Sequence, residues 1–277
     1  MTGRSQWLRH TVQFAVLAGM VVLAILASRG VATTVTGNTW VAHVAGFPIV
    51  DPLAGAEGLV ARGAARGRIL LAVLVPVLVT LVLGRVFCSW ICPAGFLFEA
   101  TDRLRGFLKQ KGFRPGNVRF RRGHKYVLLA LGLALSAFLA MPLLGHFYPP
   151  ALVVREIHRA VFSWGNGAAG IVTGGALFLL FLVTLELVAS PRAWCRSFCP
   201  GGALYSLLGA RRPVRVRLEE SRCTKCADCV PVCPMALNPM LDRMGAECDN
   251  CLACVSVCPD EALSFRSTKK ERQKGGV

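Results

Sequence analysis

Cys223 to Pro259 constrains this chain more than any other stretch. It reads C-T-K-C-A-D-C-V-P-V-C-P, then thirteen residues, then C-D-N-C-L-A-C-V-S-V-C-P. The spacing C-x2-C-x2-C-x3-C-P, written twice, is an iron–sulfur ligand run. Three closely spaced cysteines wrap three corners of a cubane, and the fourth corner must come from elsewhere. Where two such runs follow one another, the fourth cysteine of each serves the other cluster. Cys223, Cys226, Cys229 and Cys258 are therefore expected to hold one [4Fe–4S] cluster, and Cys248, Cys251, Cys254 and Cys233 a second. Zinc knots lack the third cysteine of each run and its Cys-Pro ending.

The rest of the chain belongs to a different solvent. Of 277 residues, 54% are hydrophobic and only 17% charged, and long apolar runs account for the imbalance. Four spans are expected: Thr11–Ser28, Ile69–Gly84, Tyr126–Leu144 and Ala168–Ser190. The first is about 27 Å of helix and is read as retained, with a signal peptide as the alternative. Residues 29–67 read as a long loop with a short interfacial helix, 101–125 as a basic connector, and 145–167 as a short loop. Ser267–Val277 reads as a disordered basic end. The net charge of +17 would suggest nucleic acid on a soluble chain, but no recognition motif accompanies it. Instead, 26 of the 32 Lys and Arg residues lie at the N-terminus, in 85–125 or after Ser190. By the positive-inside rule both termini and the connector face the cytoplasm.

All twelve cysteines fall into motifs, as expected of thiols kept reduced and loaded with metal. Eight are in the doubled run. The others form F-C-S-W-I-C-P-A-G (Phe87–Gly95) and W-C-R-S-F-C-P-G-G (Trp194–Gly202), each at the end of a span. Span, loop, span and C-x3-C-P-x-G thus occur twice, which predicts a pseudo-two-fold axis along the membrane normal. Cys88 and Cys92, like Cys195 and Cys199, are i and i+4, so on a helical turn both thiols face one side. Pro93 and Pro200 are expected to stop that helix. The four cysteines could build one shared iron–sulfur site, a redox-active dithiol in each half, or reduced structural thiols. Nearby Arg85, Arg192 and Arg196 would favour a negative site.

The expected fold is therefore a mainly α membrane protein. Residues 1–212 form four transmembrane helices in a two-fold internal repeat, and 213–277 a small α+β two-cluster domain on the cytoplasmic side. The sequence resembles the NapH/MauN family of ferredoxin-type membrane proteins, whose core the NosR-type membrane ferredoxins share. The resemblance rests on G-R-V-F-C-S-W-I-C-P (Gly84–Pro93), Asp51-Pro52-Leu53, W-C-R-S-F-C-P-G-G-A-L-Y-S-L-L-G (Trp194–Gly209) and the two cluster runs. It implies a quinol dehydrogenase or electron-relay subunit in a bacterial inner membrane. Quinol from the quinone pool would be the donor, and a periplasmic reductase or dehydrogenase of nitrate, nitrous oxide or methylamine type the system served. The cytochrome oxidase assembly ferredoxins share the cysteine pattern, so an assembly or maturation factor delivering electrons to a client metalloenzyme is the alternative.

Candidates for handling quinol protons are few. Glu186 is an ionisable residue inside a span, where charge is costly. Asp51, His43, His146 and His158 fall on the outer side of the proposed membrane, and a neutral imidazole is a good base near neutral pH. No histidine lies mid-span, which leaves a b-type haem without axial ligands. Trp40, Phe147, Tyr148 and Trp164 read as an interfacial aromatic belt.

Overall fold

A computed structural model describes residues 2–31, 35–37, 41–44, 46–62, 66–118, 120–165, 173–241 and 244–267. Trp40 and nearly all of the basic end fall outside them. Helix α1 (Thr2–Ser28) has 27 residues, about 40 Å at 1.5 Å per residue. Among the described helices, it is the one long and apolar enough to cross a membrane. Only 17% of its apolar window is buried, which separates it from the core helix of a soluble protein.

The other three expected spans are helical but shorter. They are α3 (Arg66–Leu83, 18 residues), α6 (His124–Leu139, 16) and α8 (Gly174–Val188, 15), against about 20 for a full span. Helix α6 ends at Leu139 because Ala140 turns left-handed (φ 52°), before Pro142 is reached. Helix α8 starts after Thr173, whose hydroxyl caps it by accepting from the Ala176 N–H at 3.1 Å. All three turn large apolar side chains outward, including Leu71 and Leu78 on α3, Leu131 and Phe138 on α6, and Leu180 and Phe181 on α8.

The two expected loops hold the main corrections. Residues 29–67 contain a three-stranded antiparallel sheet, β1 (Val35–Gly37), β2 (Val41–Val44) and β3 (Phe47–Val50), followed by helix α2 (Pro52–Arg62). Residues 145–167 contain helix α7 (Pro149–Gly165). Each of these helices begins at a proline, whose fixed φ and missing N–H suit the first helical turn. Their packing is exchanged between the halves: α1 lies on α7, and α6 lies on α2. Tyr148 is consequently buried, not part of an interfacial belt, whereas Phe147 stays exposed.

Prolines also reverse the expectation at the cysteine pairs. Helices α4 (Val86–Trp90) and α9 (Ala193–Ser197) are short and end before the second cysteine. Pro93 and Pro200 do not stop these helices; they start the next ones, α5 (Pro93–Gln110) and α10 (Pro200–Leu208). The expected connector at 101–125 is therefore helical as far as Gln110. Beyond α10, β4 (Val214–Leu218) pairs antiparallel with β5 (Leu263–Ser267), with Val214 opposite Ser267. Both cysteine runs lie between these strands, with helix α11 (Ala253–Val257) inside the second run.

Candidate functional site

The four C-x3-C-P cysteines line one narrow cavity, together with Arg85, Phe98, Tyr148, Arg192 and Trp194. Local structure brings them there. Cys92 and Cys199 are extended residues that cap α5 and α10, each Sγ accepting a backbone N–H, from Gly95 at 3.4 Å and from Gly202 at 3.3 Å. The glycine of C-P-x-G is a steric requirement: a Cβ at Gly95 would sit 2.6 Å from the Cys88 carbonyl oxygen. Two helix N-termini thus point at the cavity, and their dipoles favour negative charge there. Arg85 and Arg192, both almost fully buried, add positive charge.

Burial, the main influence, pushes all four thiols up, Cys199 to about 12. Cys199 feels in addition the nearby Cys88, with Gly202, Arg85 and Lys125 opposing. Reactive dithiols need a lowered pKa; these thiols are raised instead, which counts against a reactive dithiol in each half, although Cys88, Cys92 and Cys195 are only partly buried. An iron–sulfur cluster fits the residues better. Among the described residues, the buried Nε of Arg85 and Nε1 of Trp194, both from residues of the cavity wall, have no hydrogen-bond partner. Such N–H groups suit the sulfides of an anionic cluster. No three Cys, His, Asp or Glu side chains among the described residues are spaced for a single ion.

The doubled run packs as one core. Cys229, Cys248, Cys254 and Cys258 are buried with Val216, Met244 and Leu263, while Cys226 is exposed. Burial raises Cys229, with Cys226, Cys258 and Cys223 adding to it. Burial likewise raises Cys254, with Cys248, Cys233 and Cys229 adding.

This core docks on the cysteine turns of the bundle through their intervening residues. Ser89 Oγ donates to the Asp249 carbonyl at 2.6 Å, and Trp90 Nε1 to the Asn250 carbonyl at 3.2 Å. In the other half, Arg196 donates to the Pro234 carbonyl at 2.9 and 3.0 Å, next to Cys233. Gln6 of α1 donates to the Cys251 carbonyl at 2.8 Å. Glu247 clasps the whole: its carboxylate accepts from Arg85 at 2.9 Å, from Tyr126 at 2.8 Å and from the buried Lys125. Burial would raise this carboxyl, but Arg85 and Lys125 hold it below the usual carboxylate range.

The proton-handling candidates separate clearly. His43 and His146 are exposed, and His158 stacks on Phe162. Both oxygens of Glu186 accept backbone N–H groups, of Arg192 at 3.1 Å and Trp194 at 3.3 Å, so it shapes the turn into Cys195. Asp51, expected on the outer side of the membrane, lies instead among polar side chains beside the cysteine site. Its Oδ1 accepts from the Leu53 N–H at 2.8 Å; its Oδ2 accepts from Tyr205 at 2.7 Å and Tyr148 at 3.4 Å. Burial pushes its carboxyl up to about 6, against the pull of these hydrogen bonds. Sequence reasoning passed over Tyr205 and Glu247; the only available trace was their spacing, six residues after Cys199 and one before Cys248.

A family profile described as a 4Fe-4S binding domain matches residues 66–111 and 171–218. Each stretch covers the second expected span and the cysteine turn of one copy of the repeat, and together they contain Cys88, Cys92, Cys195 and Cys199. The chain is 34% identical over 192 residues to the ferredoxin-type protein NapH of Haemophilus influenzae, covering 69% of this chain and 62% of that one. It is 34% identical over 152 residues to the methylamine utilization ferredoxin-type protein MauN of Methylobacillus flagellatus, covering 54% and 48%. With MauN of Methylorubrum extorquens it shares 30% over 217 residues, covering 76% and 70%. The chain thus spans about half to three-fifths of the length of the first two. No solved structure matches.

Proposed function

The chain belongs to the NapH/MauN family of ferredoxin-type proteins, and from that premise we propose that it is an integral membrane electron carrier. In it a four-cysteine site in the bundle sits against a two-cluster ferredoxin domain, residues 213–277. Cys223, Cys226, Cys229 and Cys258 would hold one [4Fe–4S] cluster, Cys248, Cys251, Cys254 and Cys233 a second, and Cys88, Cys92, Cys195 and Cys199 a further iron–sulfur group. When bound, these groups would supply one-electron transfer between the bundle and the exposed Cys226 face. The protein's own part is to fix their order. The observation that carries this reading is the double docking: Ser89 and Trp90 bind the backbone at Asp249 and Asn250, and Arg196 binds it at Pro234.

The electron donor in this reading is quinol from the bacterial inner membrane, with α1, α3, α6 and α8 as four spans. A periplasmic reductase or dehydrogenase system is the client. The contact of Gln6 with Cys251 supports a common side for the N-terminus and the ferredoxin domain; the charge asymmetry makes that side cytoplasmic. Reporter fusions at the C-terminus and in 101–125 should then report cytoplasm, and fusions near His43 the periplasm. The function itself is tested with anaerobically purified full-length protein. Reduced quinol should bleach its iron–sulfur absorbance, whereas a protein reduced by dithionite but never by quinol would rule out the donor.

A further inference from the structure

Val16, Gly19 and Leu23 on α1 and Val75 and Val79 on α3 wall a cavity of about 440 Å³. That is within the size range of small-molecule sites. Asp51 and Tyr205 also line it, as does Thr80, whose hydroxyl is taken up by the Pro76 carbonyl at 2.7 Å; the remaining walls are apolar. Phe87 and Ile91 line it too, on the turn that carries Cys88 and Cys92, and the Phe87 ring stacks on Tyr205 at 5.3 Å between centroids. A ligand in this cavity is therefore in reach of the membrane through α1 and α3, and one residue removed from the cysteine site.

Asp51 has more around it than a structural role needs. Capping α2 uses Oδ1, through the Leu53 N–H. Two phenols converge separately on Oδ2, and no cation among the described residues pairs with this buried carboxylate. A buried acceptor beside an apolar space suits a ligand that is apolar over most of its surface and carries a hydroxyl donor. A lipid acyl chain would match the walls and leave the carboxylate unused. We propose that this cavity binds the headgroup of a lipid-soluble hydroquinone, with a ring hydroxyl donating to Asp51 beside Tyr205. The choice of a redox-active phenol over another lipophilic alcohol rests on the electron-carrier reading above; the location does not.

Gly19 offers a clean way to close the space. A Cβ there meets no atom within 4 Å, so Gly19→Leu should fold normally and fill the cavity. The experiment uses cluster-loaded full-length protein in lipid nanodiscs and a photoreactive azidoquinone with a short alkyl tail. Labelling should fall on peptides covering residues 15–23 and 75–87 and be suppressed by excess unlabelled short-tail quinone. Gly19→Leu and Asp51→Asn should each lower it about tenfold, the scale of losing a buried contact or a charged hydrogen bond. Labelling elsewhere, or labelling that Gly19→Leu leaves unchanged, overturns the site. Quinol reduction is read in parallel on the same samples. Wild-type protein reduced by quinol, with Gly19→Leu reduced equally fast, overturns the cavity while the electron-carrier function stands. Specific cavity labelling without quinol reduction supports the cavity and overturns quinol as the donor.

Discussion

The two halves of the bundle share a frame and differ in what fills it. Tyr205 stands six residues after Cys199, and Phe98 six after Cys92. Phe87 precedes Cys88, as Trp194 precedes Cys195. Asp51 precedes the proline that starts α2, and Tyr148 the proline that starts α7. Around Asp51 and Phe87 an open cavity remains. Around Trp194, the rings of Phe98 and Phe178 and the side chain of Leu182 pack together, with Phe178 edge-on to Trp194 at 5.5 Å, and leave only the narrow space among the cysteines. The repeat sets the helix ends and the cysteines; the side chains at equivalent positions decide which half has room and a polar acceptor. One half is thus built to receive something and the other to hold the cysteine site rigid.

Substitutions at the equivalent positions should break this contrast in order of size. Phe98→Ala in the filled half empties a fully buried site and should cost about 3–5 kcal/mol, read as a lowered thermal midpoint. Glu247→Ala leaves Arg85 and Lys125 buried without their anion and should cost about 3 kcal/mol or more. Its specific readout is faster hydrogen exchange around Ser89 and Asn250, with the far ends of the helices unchanged. Tyr205→Phe in the open half removes only the 2.7 Å donor to Asp51, for about 1–3 kcal/mol. If Phe98→Ala and Tyr205→Phe cost the same, the two halves are equally packed and the contrast is wrong.

The smallest effect is a pH dependence. The Asp51 carboxyl is raised from 3.8 to about 6, so the folded protein holds its proton more tightly than the unfolded chain. Asp51's contribution to stability is therefore greatest below its unfolded value and falls as pH rises toward 6, then levels off. The groups facing it, Tyr148 and Tyr205, are themselves pushed up by burial and stay protonated across this range. As a proton acceptor Asp51 must be ionised, so quinol-dependent reduction should rise with pH to a plateau above about 6. Asp51→Asn should remove that rise.

The chemistry of this chain was legible in its sequence to an uneven degree. Cysteine spacing is a local rule, so the doubled run, the two C-x3-C-P turns and the repeat could be read directly. Helix α2 could be read as a short helix, but the strands before it and helix α7 could not: the strands are three or four residues long and α7 is too short for the apolar length that marks a span. Pro93 and Pro200 were ambiguous because proline ends one helix and suits the first turn of another, and only the caps at Cys92 and Cys199 decide between them. Glu186 stood out because charge in a span is rare; that its oxygens accept two backbone N–H groups is a contact no spacing rule announces. Tyr148, expected at an interface, is drawn inward by Asp51.

The central claim is that the two halves meet in one iron–sulfur site made by Cys88, Cys92, Cys195 and Cys199. Its most direct test compares iron and acid-labile sulfide in anaerobically purified full-length protein with the Cys88→Ala/Cys195→Ala variant, both with the doubled run intact. The account predicts that the variant loses about four irons, one cubane's worth, together with one paramagnetic signal, and keeps the two clusters of the doubled run. Equal iron content and identical spectra in the two proteins would contradict it.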